Sequence, residues 1–423
     1  MNIIVENGAG DNDNIGDLSM QEGVIRLLSR VFPKQKFTFI YSGNLICNIS
    51  DIDNVNFDDP FTLKFIYYLD KIKKRNSLVF FGKICIYSIY LLRIIFGFNL
   101  LKTKIIYKSK VLSLKEYSDR YDALLLCGGG YLNDIFKHEL ISKIYLMKVF
   151  YKQKKSFLLT GQQLGPFNNL LLKMLLKKIL RKAEFIGLRE NLGSKRIVEN
   201  DNELIKITKL TGDDSFGIIP EKNIYNLNKL IPFKCQEFIA INYRYSGYAI
   251  ANHDSFIKFG QILCDLQKIL KFPYLLVPIT LNPGDSDLLT GELLQKQFPL
   301  LKYKILNDSN MFNSQNIKLI LKNAFAGIGV SYHFCTFALS VGTLAVCVYD
   351  GKYYEQKAKG ISSFWEDERL AVSINKDSVH RISNQLQNTL FDKKLRNNIK
   401  ALAEKKIGYW EETIVEAFND FIK

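Results

Sequence analysis

The stretch that most restricts how this chain can fold is a pair of apolar runs with a helical pattern between them. Ala324 to Val330 and Leu344 to Val348 read as buried strands, while Phe334, Phe337, Ala338 and Val341 recur at helical spacing. Together they make one βαβ unit, with Tyr349-Asp350-Gly351-Lys352 at the end of its second strand. His333 stands where the first strand gives way to the helix. In open α/β sheets ligands bind outside the carboxyl ends of the strands, and an imidazole there can move protons near neutral pH.

The same alternation runs through the chain. Asn2 to Glu6, Lys36 to Ile40, Ala123 to Cys127, Ser156 to Thr160, Phe185 to Leu188 and Ile207 to Leu210 read as strands, with helical patterns at Leu18 to Phe32 and Leu170 to Lys182. Strands resume at Phe238 to Tyr243, Tyr274 to Pro278 and Tyr303 to Leu306, with a helix at Ser255 to Leu270. Such alternation predicts mostly parallel sheets, and 423 residues exceed what one core usually organises. The expected fold is α/β, with two Rossmann-like domains facing across a cleft. The first domain spans 1–218, a Pro- and Asn-rich linker 219–236, the second domain 237–391, and terminal helices 392–423.

Charge limits the partners. A formal net charge of +16 draws the protein toward anionic surfaces, yet the lysines are spread along the chain and no nucleic-acid motif accompanies them. Nucleic acid is therefore not expected. The seven cysteines are scattered without CxxC spacing, which argues against a disulfide framework or a zinc site and fits a reducing cytoplasm. Leu78 to Leu101 is strongly apolar but interrupted by Lys83 and Arg93, and basic residues continue to Lys110. Interior charges count against a spanning helix at about 2.5–3.5 kcal/mol each. Leu78 to Lys110 then reads either as an interfacial helix on anionic lipid or as a core helix with one basic face.

Several loops fall at strand ends. Asn7-Gly8-Ala9-Gly10 through Asn14-Ile15-Gly16-Asp17 precedes a helix, where glycines and free amides suit an anion or a sugar, and Asp17 also suits the helix N-cap. Cys127-Gly128-Gly129-Gly130 is a second glycine loop, and a tight turn is its simplest use. Gln162 and Gln163 could bond hydroxyls, or the segment could serve only the Gly165-Pro166 turn. Arg189 and Arg244 each follow a strand, so one guanidinium from each half could hold a small dianion, a surface salt bridge being the alternative. Asp213 and Asp214 could orient hydroxyls or cap a turn.

In order, Asn14-Ile15-Gly16-Asp17, Cys127-Gly128-Gly129-Gly130, Gly165-Pro166-Phe167, Leu188-Arg189-Glu190, Thr211-Gly212-Asp213-Asp214 and Ser331-Tyr332-His333 resemble the polysaccharide pyruvyl transferase family. The resemblance implies a GT-B arrangement of the two domains, a terminal helix returning to the first domain, phosphoenolpyruvate as donor and a sugar as acceptor. By it His333 and Arg189 are the catalytic pair. Ser331-Tyr332 stands where many members carry arginine, and Glu190 replaces the commoner aspartate. Donor binding then falls to Arg244, Lys352, Lys357, Tyr332 and Ser331, and acceptor binding to Asp17, Gly129, Gly130, Gln163, Asp214 and Asp350. Ketal formation needs proton transfer and charge neutralisation, which arginines and amides supply without a metal or a cofactor. A cytoplasmic enzyme acting on a lipid-linked sugar would work at the inner face of the membrane. A GT-B glycosyltransferase using a nucleotide sugar, or a non-catalytic membrane-associated assembly protein, are the competing readings.

Overall fold

Strands that are apolar at every position need cover on both faces, and in the computed structural model helices provide it. The structure describes residues 1–7, 13–41, 49, 52–63, 100–220, 233, 237–244, 253–282, 286–308 and 312–423. Gly8 and Gly10, most of the 219–236 linker and residues 78–99 of the basic apolar stretch lie outside them.

The first sheet holds β1 (Asn2–Glu6), β2 (Lys36–Ile40) and β3 (Val55–Asp58). A small antiparallel sheet follows, made of β4 (Thr62–Leu63), β5 (Lys104–Tyr107) and β6 (Lys110–Ser113). The chain then returns to the first sheet with β7 (Ala123–Leu126), β8 (Gly129–Leu132), β9 (Phe157–Leu164), β10 (Ile186–Leu188) and β11 (Thr208–Leu210). All pairings in that sheet are parallel, in the order β11-β10-β9-β7-β1-β2-β3, with β8 also on β9. Residues 129–130, expected in a glycine loop, thus belong to a short strand.

The second sheet is parallel throughout: β12 (Ile239–Asn242), β13 (Tyr274–Leu276), β14 (Tyr303–Ile305), β15 (Ala326–Gly329), β16 (Ala345–Tyr349) and β17 (Ala371–Ser373), in the order β14-β13-β12-β15-β16-β17. Order reverses on either side of β12 and β15, which opens a crevice beyond their carboxyl ends.

The last helix, Lys393–Phe421, lies against both halves. Phe418 packs on Phe32 and Phe37 at 4.8 and 5.9 Å between ring centres, and Trp410 Nε1 donates to Asp214 at 3.1 Å. Buried Lys318, on the helix Ser314–Lys322 of the second half, donates to the carbonyls of Ser215 and Ile218 at 2.7 and 3.1 Å. Among the described residues no helix is long and apolar enough to cross a membrane.

Candidate active site

The floor of the crevice is a seam between the halves. Residues 13–15 run beside 279–282: Ile15 N–H donates to the Ile279 carbonyl at 2.8 Å, Leu281 N–H to that of Asp13 at 2.8 Å, and Asp13 N–H to Asn282 Oδ1 at 2.8 Å. Asn14 ends this strand-like contact and caps the helix Ile15–Val31, its Oδ1 accepting from Gly16 N–H at 2.9 Å. The cap is therefore Asn14 and not Asp17, because Asn-Ile-Gly-Asp offers two capping residues and the seam fixes the first. Asp17 falls in the first turn and faces the crevice.

Gly16 explains why this turn matters. A Cβ built there would lie 2.1 Å from His333 Nδ1, so the imidazole rests directly on the first turn of the helix. Gly16→Ala should push the ring out of place and lower turnover by about 10²-fold, the scale of a 1 Å misplacement, and, because the added Cβ would also lie 2.6 Å from the His333 Cβ, should lower stability by about 1–3 kcal/mol. Steady-state kinetics beside a thermal melt will read both.

Over this floor is a cavity of about 180 Å³ lined by both halves. Arg189 enters from the end of β10, Arg244 from beyond β12, Lys357 from the helix Gly351–Phe364, and Ser331, Tyr332 and His333 from the start of the helix Tyr332–Ser340. Arg189 stacks over Tyr332 at 4.2 Å from the ring centre and donates through Nη2 to Gln163 Oε1. Gly130 leaves room for that pair, since a Cβ there would sit 3.0 Å from Nη2. Arg244 Nε is 3.1 Å from Asp287 Oδ1. The other Asp287 oxygen accepts from Asn242, whose Oδ1 receives Ser331 N–H, so one buried network sets both Arg244 and the turn before His333.

Asp213 stands behind the catalytic candidates. Its Oδ2 is 3.9 Å from Arg189 Nη1 and 3.9 Å from His333 Nε2. Arg189 Nε and Nη1 and His333 Nε2 are buried with no hydrogen-bond partner among the described residues, a costly state unless an anion or hydroxyl meets them. Burial, then the charges of Arg189, Lys357 and Arg244, hold the His333 pKa well below the usual imidazole value. Both effects favour the neutral imidazole. Burial raises the Asp17 carboxyl, and Lys357, Arg189 and Arg244 oppose that shift, which places Asp17 in the same field.

The crevice gathers His333, Arg189, Arg244, Lys357, Ser331, Tyr332, Asp17, Gly129 and Gly130. Five residues that the sequence pointed to lie elsewhere. Asp214 is fully buried beneath it, accepting from Gly128 N–H at 2.8 Å, Thr160 Oγ1 at 2.5 Å and Trp410 Nε1 at 3.1 Å, so its oxygens are spent on holding the fold. Gln163 orients Arg189, and Gln162 Nε2 is turned to the carbonyls of Leu126 and Cys127 at 3.0 and 2.8 Å. Asp350 is bonded to Ser255, and Lys352 is exposed outside the lining. Both sit at the start of the helix Gly351–Phe364, which lines the cavity through Tyr353, Tyr354 and Lys357 instead.

Sequence reasoning missed Glu139, Tyr353, Thr280 and Asn282 in the lining. Glu139 gave no signal as one charge in a helical pattern, whereas Tyr353 stands directly after the conspicuous Tyr349-Asp350-Gly351-Lys352 segment. Among the described residues no three His, Cys, Asp or Glu side chains are grouped to hold a metal ion.

Two parallel Rossmann-like sheets meeting over a shared crevice define the GT-B arrangement. Solved structures share it, among them a protein described as a UDP-N-acetylglucosamine 2-epimerase from Listeria monocytogenes (TM-score 0.58, 12% identity, 100% of this chain and 96% of that one). UDP-GlcNAc 2-epimerase from Neisseria meningitidis bound to UDP-GlcNAc (0.53, 12%, 99% and 100%) and the calicheamicin glycosyltransferase (0.53, 9%, 100% and 98%) are similar as well. At such identities the likeness concerns the fold alone. A sequence profile for polysaccharide pyruvyl transferases matches residues 14–351, and the chain belongs to that family. No curated protein sequence matches it significantly.

Proposed function

We propose that the protein transfers pyruvate from phosphoenolpyruvate to a sugar of a surface polysaccharide, or of its lipid-linked precursor, and closes a cyclic ketal without metal or cofactor. The observation that carries this reading is the convergence of Arg189, Arg244 and Lys357 on His333 in one interdomain cavity. Three cations match a donor with a carboxylate and a phosphate. The helix Tyr332–Ser340 adds the free backbone amides of its first turn beside His333, Ser331 N–H being already taken by Asn242.

In the reaction, C3 of the donor gains a proton and C2 becomes oxocarbenium-like. A first sugar hydroxyl bonds to C2 and gives up its proton, the C2–O bond to phosphate breaks with the electrons leaving on phosphate, and a second hydroxyl closes the ring with loss of its proton. His333, neutral in the free enzyme, takes the proton of the first hydroxyl and returns it to C3, the second hydroxyl's proton leaves with the phosphate, and Asp17, with Glu139 and Asn7 on the first-half side, meets the sugar hydroxyls.

Burial and, after it, the charges of Arg189, Lys357 and Arg244 keep His333 neutral in the free enzyme, and the bound donor neutralises those charges, so donor binding raises its basicity. The expected outcome is an acidic limb with a higher apparent pKa in kcat than in kcat/KM for phosphoenolpyruvate, because the former reports the complex and the latter the free enzyme. A pH series from mildly acidic to neutral buffer will show it. Identical pKa values would remove the coupling.

Thermal-shift measurements test the donor. Phosphoenolpyruvate at about a hundredfold excess over Kd should stabilise the protein by about 2.7 kcal/mol, and UDP should not. The reverse pattern would favour a nucleotide-sugar glycosyltransferase.

A further inference from the structure

The helix Leu170–Leu180 turns five apolar residues inward, yet its outer face is not polar. Leu170 is 72% exposed, Met174 67% and Leu171 41%, one ridge along adjacent turns. Lys173 borders the ridge, Lys178 continues it by one turn and exposed Lys182 lies just beyond the last turn, while Lys177 and Arg181 are paired with Asp201 at 3.3 and 2.9 Å. Exposed leucine and methionine normally cost solubility, and a rim of lysines whose stems can lie along the apolar surface is the composition that an interfacial helix needs.

Position makes this face more than a stray patch. The helix follows β9, whose last residues bring Gln163 to Arg189. Asp134 Oδ2 accepts from Asn168 and Asn169 N–H at 2.6 and 2.7 Å, tying the start of the helix to the loop that carries Ile135 and Phe136. Ile135 is 47% exposed, and Phe136 lines the cavity. The start of the ridge and the cavity mouth therefore both lie beyond the carboxyl end of β9. Burial, and then the charges of Lys178 and Lys152, push the pKa of Lys148 on the neighbouring helix Lys137–Lys152 down to about 8, so Lys148 and Lys178 share one positive field.

We infer that the outer face of Leu170–Leu180, with Ile135 at its upper end, docks on an anionic phospholipid surface and sets the cavity mouth at the membrane. An acidic protein surface would suit the lysines but leave Leu170 and Met174 wet. The lipid interface takes both: apolar tips reach the acyl boundary while ammonium groups remain among phosphates. This docking does not depend on which donor the cavity binds.

Flotation of the full chain with vesicles tests it without any turnover. The protein should rise with equimolar phosphatidylcholine and phosphatidylglycerol vesicles and stay below with phosphatidylcholine alone. Leu170→Glu/Met174→Glu should abolish flotation, and Lys173→Gln and Lys178→Gln should each lower partitioning about fivefold. All four changes are on the surface, so melting temperatures should match the wild type. Wild-type protein that ignores anionic vesicles, or a Leu170→Glu/Met174→Glu variant that floats as well as the wild type, would overturn the inference. Phosphoenolpyruvate-induced thermal stabilisation, read on the same variants, should be unchanged, so failure here is separable from failure of the proposed chemistry.

Discussion

His333→Ala is expected to lower pyruvate transfer by about 10²–10⁴-fold while the protein stays folded. The rate loss follows from position: the imidazole rests on Gly16, faces the cavity, and lies 3.9 Å from Asp213 Oδ2 behind it. The fold should tolerate the change because Nε2 makes no hydrogen bond among the described residues, so its removal strands no buried partner. What remains is a small cavity beside Phe337 and Tyr332. Turnover assays with a denaturation curve on the same sample separate the two effects, and a variant that retains turnover would take the imidazole out of the chemistry.

Asp214→Ala should instead unfold the protein more easily, by on the order of 3 kcal/mol. Alanine leaves the Gly128 N–H and the Trp410 indole N–H buried without an acceptor, and it cuts the bond that fastens the terminal helix to the first half. The loss should depend on pH. Burial pushes the Asp214 pKa from 3.8 up to about 7, so the folded form keeps a proton that the unfolded chain has released between those values. Its stabilising contribution is then greatest below the unfolded pKa and shrinks as pH rises through about 7. Urea titrations at about pH 5 and pH 8 should show the larger penalty at the lower pH. A penalty equal at both would mean that the carboxylate is ionised in the fold.

Adjacent residues with opposite fates show where sequence reading works and where it stops. Asp213 and Asp214 form an indistinguishable pair in the sequence; the first stands behind Arg189 and His333, the second beneath the glycine strand, because the turn before Asp214–Gly217 sends consecutive side chains to different sides. Fully apolar strands such as β15 and β16 were legible to within a residue or two, since a parallel sheet covered on both faces leaves no room for polar positions. Strands without an apolar run were not: β3, β4 and β8 carry polar residues or glycines that read as loop, whereas the equally short β10, β11, β13 and β14 were legible from theirs. The role of Gly16 was also hidden, because the reason for it is a side chain more than three hundred residues away in sequence.

In the proposed reaction, cations and an imidazole in this crevice carry a pyruvyl group from phosphoenolpyruvate to a pair of sugar hydroxyls. Mass spectrometry of candidate saccharides incubated with enzyme and phosphoenolpyruvate measures that transfer itself. A product heavier by pyruvate minus water, formed with release of one phosphate and lost with His333→Ala, is the expected result. Saccharides that gain a hexose from a nucleotide sugar instead, or that stay unchanged while the donor demonstrably binds, would contradict it.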